Sequence, residues 1–225
     1  SVDVAYGNAV HGTLEWIQQQ LNATKKIPAI SACTERFSDL LTRQHIYGEQ
    51  YAMQEARGIA ALTDYLSTSQ ATFMAGDKPE YSFRNEGVVI EDVILNGKID
   101  LLRIDEQSKT ITIIDYKTGT FSPNSAKLHK YEIQLYFYKL LLAGSRTYKH
   151  YTVQEGQLVF IEPDMNNGAV YTHTVRYNDA ELTRVTKLVQ SIWKRIQALD
   201  LPDTSNYGST LAGIRKFEAD LLADI

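Results

Sequence analysis

Two short segments place a carboxylate where an apolar strand pattern would otherwise continue: Gly97-Lys98-Ile99-Asp100 and Ile113-Ile114-Asp115-Tyr116-Lys117. A carboxylate half-buried in a strand costs several kcal/mol unless it is paired or binds a metal. Two of them on adjacent strands repel, and a divalent cation relieves that repulsion. Magnesium suits such a place, because it takes one or two carboxylates and keeps water and substrate phosphate as its other ligands. Lys117 follows Asp115 by two residues, so on a strand its side chain leaves the same face. There an ammonium can hold a nucleophilic water or offset charge building on a phosphate. An Asp-x-Lys triplet alone reads far more readily as a solvent-facing ion pair on an edge strand, so its weight comes from its setting.

That setting is a series of four motifs. Gly7-Asn8-Ala9-Val10-His11-Gly12-Thr13-Leu14-Glu15 comes first and Gly97-Lys98-Ile99-Asp100 second; Ile114-Asp115-Tyr116-Lys117-Thr118-Gly119 and Gln134-Leu135-Tyr136-Phe137-Tyr138 follow. In this order they resemble the RecB-like nucleases of the PD-(D/E)XK superfamily, over a span from about Tyr6 to Ile161. The resemblance implies a metal-dependent DNA nuclease, an exonuclease before an endonuclease, working in a DNA-repair or recombination helicase–nuclease. It implies His11, Asp100, Asp115 and the backbone carbonyl of Tyr116 as metal contacts, and Asp100, Asp115 and Lys117 as the catalytic residues. Imidazole among the ligands admits manganese beside magnesium; a general base is the other reading of His11. Gln134 and Tyr138, four residues apart, share a helix face and in the family touch DNA or support the lysine. Glu80 matches a family glutamate that precedes the first strand, in support of the site or as plain structure. Two other functions stay open: a non-catalytic DNA-binding domain on the same fold, and a hydrolase of small phosphate esters.

Several relatives hold an iron–sulfur cluster on four cysteines. Cys33 is the only cysteine here, so neither a cluster nor an internal disulfide is expected, and a lone thiol fits a reducing cytoplasm. No Gly-x-x-x-x-Gly-Lys-[Ser/Thr] phosphate loop is present, so ATP hydrolysis is not assigned, and a helicase motor would have to lie elsewhere in the full-length protein or complex. The balance of 23 Lys+Arg against 27 Asp+Glu is unlike that of a stand-alone, tight DNA binder, since phosphate contacts dominate affinity. A DNA substrate then needs something more to hold it. The chain opens directly on a helix candidate, which suits an excised domain and a free-standing enzyme alike. No 18-residue apolar run predicts a membrane span, and the first residues lack the pattern of a signal peptide.

The elements that must carry these residues follow from periodicity. Val10, Leu14, Ile17 and Leu21 predict a helix over 5–21, and Pro28 sits in the break after it. The stretch 34–66 has helical period, with Phe37, Leu40, Leu41, Ile59, Leu62 and Tyr65 as buried positions, and reads as two helices. Residues 81–84 alternate, and 88–104 is dense in β-branched and apolar residues, with Gly97 at a bend or a join. A strand over 110–116 follows a turn at 107–109; a loop over 118–124 leads to a helix over 127–143, ended by Gly144. Strands over 157–161 and 169–177 flank a turn at Asn166-Asn167-Gly168, and helices over 179–199 and from Ser209 close the chain. The whole predicts one α/β (mixed α+β) domain over 1–225, with a restriction-endonuclease-like core whose central mixed sheet is flanked by helices. Its parts are a helical 5–75 bearing the histidine, a sheet core over 78–178, and C-terminal helices over 179–225.

Overall fold

The computed structural model describes residues 1–68, 73–164 and 168–223. Three helices come first: α1 (Val2–Thr24), α2 (Ile30–Thr42) and α3 (Gly48–Ser67). The side-chain oxygen of Ser1 accepts from the Val4 amide at the start of α1, and Lys25 ends it in the left-handed region at φ 61°. Val10, Leu14, Ile17 and Leu21 are all buried, as the period requires. The region over 34–66 divides into two helices, and the first begins earlier, at Ile30. Ile59 is a correction: it is 38% exposed, because the buried stripe of α3 runs through Gly58, Ala61, Leu62 and Tyr65 and leaves Ile59 on its flank. Gly58 lets α2 approach, since a Cβ there would stand 2.1 Å from the Phe37 ring. The expected helical part extends to residue 75, of which 69–72 lie outside the described residues.

The central sheet has the order β1-β4-β5-β6-β7, from β1 (Lys78–Ser82), β4 (Lys98–Asp105), β5 (Thr110–Lys117), β6 (Thr152–Phe160) and β7 (Tyr171–Arg176). All neighbours are antiparallel except β5 and β6, which are parallel. A parallel pair needs a crossover, and α4 (Ala126–Gly144) supplies it. The β4–β5 turn is built as expected, with Asp105 Oδ1 accepting from the Gln107 and Ser108 amides at 2.8 and 3.1 Å. The dense run over 88–104 is instead divided: β2 (Val88–Ile90) and β3 (Val93–Leu95) pair into a separate two-stranded sheet, and only the remainder joins the main one. The first strand starts at Lys78 rather than Tyr81, and β6 starts at Thr152 rather than Gln157. Of the expected turn at 166–168, Asn166 and Asn167 lie outside the described residues; Gly168 has φ 66°.

Two hydrophobic cores share this sheet. Ile111, Ile113, Leu158 and Phe160 face α4 and α5 (Asp179–Ala198), with Leu135, Leu141 and Val185 opposite them. Ile114, Tyr116 and Val159 face the other way, onto Tyr6, Val10, Phe37 and Leu62 of the N-terminal helices. The last helix, α6 (Leu211–Ala223), rests on α5 and α4. Burial on both faces explains why Ile113 to Lys117 are buried without a break, after the alternation of Thr110 to Thr112. Asp115 and Lys117 therefore continue the face of Ile111 and Ile113, toward α4.

Candidate active site

The site forms where β4 and β5 part. Their pairing runs from Asp105↔Thr110 to Leu101↔Ile114. Beyond it the Asp100 carboxylate, through Oδ2, accepts the Tyr116 amide N–H at 2.9 Å, so a side chain takes the place of a ladder bond. α1 delivers His11 to the place where the strands part. Nδ1 of His11 lies 3.3 Å from Asp100 Oδ2.

Glu80 completes a group. Pro79 pairs with Leu101 and Tyr81 with Ile99, which sets Glu80 opposite Asp100 across β1 and β4. One ligand atom from each of His11, Glu80 and Asp100 lies within 4.8 Å of the others. An imidazole nitrogen and two carboxylate oxygens are a donor set that magnesium or manganese accepts. Glu80 sits within β1, not before it, and it holds a left-handed backbone at φ 51°. Its carboxylate is paired with Lys98 of the Gly-Lys-Ile-Asp motif.

Asp115 is almost wholly buried beside this group, with Oδ2 2.5 Å from Lys117 Nζ. Lys117 Nζ donates to Gln134 Oε1 at 2.8 Å, and Gln134 Nε2 donates to the Tyr138 hydroxyl at 2.6 Å. The Tyr138 hydroxyl returns to Asp115. The two helix residues and the two strand residues thus close a ring, and the i, i+4 spacing on α4 is what lets one helix face meet both. Tyr131, on the same face, places its ring 4.0 Å from Lys117 Nζ. That contact was not singled out from the sequence, although the spacing of Tyr131, Gln134 and Tyr138 at i, i+3 and i+7 marks one stripe.

The electrostatics record crowded negative charge. Burial, and then the Asp100 charge, raise the pKa of Asp115 against the opposing Lys117 and His11. Glu80 is raised by burial and by Asp100, against Lys98. Burial pulls His11 down, but the hydrogen bond to Asp100 and the charges of Asp100, Asp115 and Glu80 outweigh it and raise the imidazole. Burial, then Asp115 and Asp100, hold the Tyr138 phenol far above its ordinary range, so it stays a donor. Two carboxylates raised by burial and by a third beside them favour a bound cation.

The loop after Lys117 is fixed from outside the site. Gly119 has φ 93°, a conformation that favours glycine. Its amide donates to Glu162 Oε1 at 2.7 Å. Arg57 of α3 grips Glu162 through two hydrogen bonds, at 2.7 and 3.0 Å, and lies over the Tyr6 ring of α1. The glycine was legible in the Thr118-Gly119 pair; Glu162 and Arg57, in no motif, were not.

A family model for the PD-(D/E)XK nuclease superfamily matches residues 1–208. The mixed α/β arrangement, five central strands flanked by helices, is consistent with a restriction-endonuclease-like fold. No curated protein matches the chain. The crystal structure of SSO0001 is 15% identical with a TM-score of 0.36, over 72% of this chain and 70% of that one.

Proposed function

Because this chain belongs to the PD-(D/E)XK nuclease superfamily, we propose that it is a magnesium- or manganese-dependent DNA nuclease of the RecB-like branch. The observation that carries this reading is the meeting of His11, Glu80 and Asp100 beside the Asp115–Lys117 pair. His11, Glu80 and Asp100 would hold the cation, with Asp115 and the Tyr116 carbonyl turned to the same place. A divalent ion bound there polarises a phosphate and lowers the pKa of a bound water. Lys117 orients the attacking water through Nζ or offsets the charge that develops on the phosphate. Gln134 fixes Lys117 by its carbonyl oxygen, and Tyr138 keeps a proton toward Asp115. The likeness of all four motifs to RecB-like enzymes supports exonuclease action within a repair or recombination helicase–nuclease, one nuclease unit over 1–225. The acidic balance supports a partner that holds the DNA. The lone Cys33 supports a cytoplasmic setting, and among the described residues no helix is long and apolar enough to cross a membrane.

End-labelled linear and covalently closed circular DNA, incubated with Mg²⁺, Mn²⁺ or EDTA, test the assignment. The expected result is metal-dependent loss of the linear substrate with circles intact. Cutting of circles would replace exonuclease by endonuclease action. Binding of DNA with no cleavage in either metal would replace the nuclease by a binding domain.

A further inference from the structure

Beyond the hydrolytic group, the outer edge of the sheet carries a second feature on the same face. Register aligns Lys117 with Phe160 and Phe160 with Tyr171, and likewise Asp115 with Leu158 and Leu158 with His173. Residues opposite one another on neighbouring strands leave the same face, so two rows of side chains run from the candidate site out to β7. Neighbouring strands are about 4.8 Å apart, which puts Tyr171 about 10 Å from Lys117. Aromatic rings fill the interval. The Tyr131 ring lies 4.0 Å from Lys117 Nζ, and its centroid is 6.5 Å from that of Phe160. Phe121, in the loop that leaves Lys117, stands 5.4 Å from Phe160. Phe121 then stacks on Tyr171 at 4.0 Å with 20° between planes, and on His173 at 5.6 Å with 24°.

This outer stack is not core. Tyr171 is 44% exposed on an edge strand. Phe121, Tyr171 and His173 line a recess of about 310 Å³ together with His129, Glu132, whose carboxylate holds His173 Nε2 at 2.8 Å, and the exposed Arg215 of α6. Ring faces with cations beside them hold nucleobases and backbone phosphates without reading base edges. A duplex keeps its base faces stacked on one another, so only an unpaired strand can offer them to the rings. Three base steps of a stacked strand span roughly 10 Å, which matches the distance from platform to lysine.

We propose that Phe121, Tyr171 and His173 form a stacking platform for the bases of an unpaired DNA strand, a reading that rests on the nuclease assignment above. The strand passes from Tyr171 over the half-buried Phe121 and Tyr131, which cover the buried Phe160, with Arg215 beside its phosphates and the scissile linkage at Lys117.

Tyr171 is the position to change, because it stands outside the hydrolytic group. Binding of a labelled 20-mer oligothymidylate and of a blunt duplex of the same length is measured by fluorescence anisotropy in EDTA, so that cleavage plays no part. Tyr171→Ala is expected to weaken binding of the single strand by about tenfold and to leave duplex binding within about twofold. Tyr171→Phe, which keeps the ring, restores wild-type binding. In Mg²⁺ or Mn²⁺ the alanine variant raises KM with kcat within about twofold, as loss of uniform binding requires. Unchanged single-strand binding in Tyr171→Ala overturns the platform, and so does equal weakening toward the duplex. A protein that cuts DNA normally while Tyr171→Ala leaves KM untouched loses the platform alone. A protein that binds the single strand through Tyr171 and cuts in neither metal loses the nuclease reading and keeps the platform.

Discussion

Glu80 holds a backbone conformation that a glutamate within a strand does not adopt without support. A non-glycine residue in the left-handed region costs about 1–3 kcal/mol, and such strain gathers at functional sites. Here φ is 51°, the residue faces Asp100, and burial and that neighbouring charge both work against ionising its carboxylate. Strain and charge crowding make sense together if the residue is kept for a cation. Glu80→Gly relieves both at once. Glycine loses about 0.5–1 kcal/mol through the entropy of the unfolded chain, and the pairing with Lys98, open to solvent only on the lysine side, contributes about 1 kcal/mol. The variant should therefore melt at or above the wild-type temperature in EDTA. Calorimetric affinity for Mn²⁺ should fall at least about tenfold, because a ligand is gone. A clear drop in melting temperature with unchanged Mn²⁺ affinity would show that Glu80 serves the fold. At this scale the resemblance of four motifs singled out His11, Asp100, Asp115, Lys117, Gln134 and Tyr138, and the fold brings these residues together. The position of Glu80 inside β1 was less so, because a left-handed residue breaks the alternation that betrays a strand.

Between elements, one buried acid ties the start of the sheet to the end of α4. Glu86, between β1 and β2, accepts hydrogen bonds from the Tyr81 hydroxyl at 2.5 Å, Thr147 Oγ1 at 2.8 Å, Ser145 Oγ at 3.0 Å and the Thr147 amide at 3.2 Å. Burial pushes its pKa up, but these four donors prevail and bring it down to about 2 from an ordinary 4.5. A carboxylate depressed in the folded state binds its proton more readily when unfolded, so its contribution is complete above pH 4.5 and is lost as pH falls toward 2. Urea titrations of wild type and Glu86→Gln should differ most at neutral pH and converge between about pH 4.5 and 2. A gap that does not change across that window would mean the charge is not what the donors recognise. Element types were mostly legible: α1, α4 and α5 from apolar period, β5 from its β-branched run, the β4–β5 turn from its polar residues. What the sequence hid was tertiary in origin. The dense run over 88–104, with Gly97 at a bend or a join, divides further than expected, because β2 and β3 pack on α4 and α5 away from the main sheet. The misplaced Ile59 shows the same limit, since a helical stripe is about a third of the circumference and its edge depends on the neighbour.

Taken whole, the molecule joins two cores across one sheet and places its charged group where the strands part. The formal net charge of −4 gives no general attraction to phosphate, so DNA must be held by local features or by a partner. Its family and its α/β architecture were legible because four motifs fell in one order, each on the element that the chemistry needs. Glu162 and Arg57, which fasten the loop after Lys117 to the N-terminal helices, were not, because a bond between residues 105 apart in the chain leaves no local pattern. The proposed chemistry turns on Lys117, whose ammonium is held by Asp115, Gln134 and Tyr131 and plays no part in either core. The deciding measurement is single-turnover cleavage of end-labelled DNA in Mg²⁺ and Mn²⁺ by wild type and Lys117→Ala, with the thermal melt of each recorded alongside. A loss of at least about a hundredfold in a variant that still melts well above the assay temperature is the predicted result. Cleavage by Lys117→Ala at the wild-type rate would contradict it.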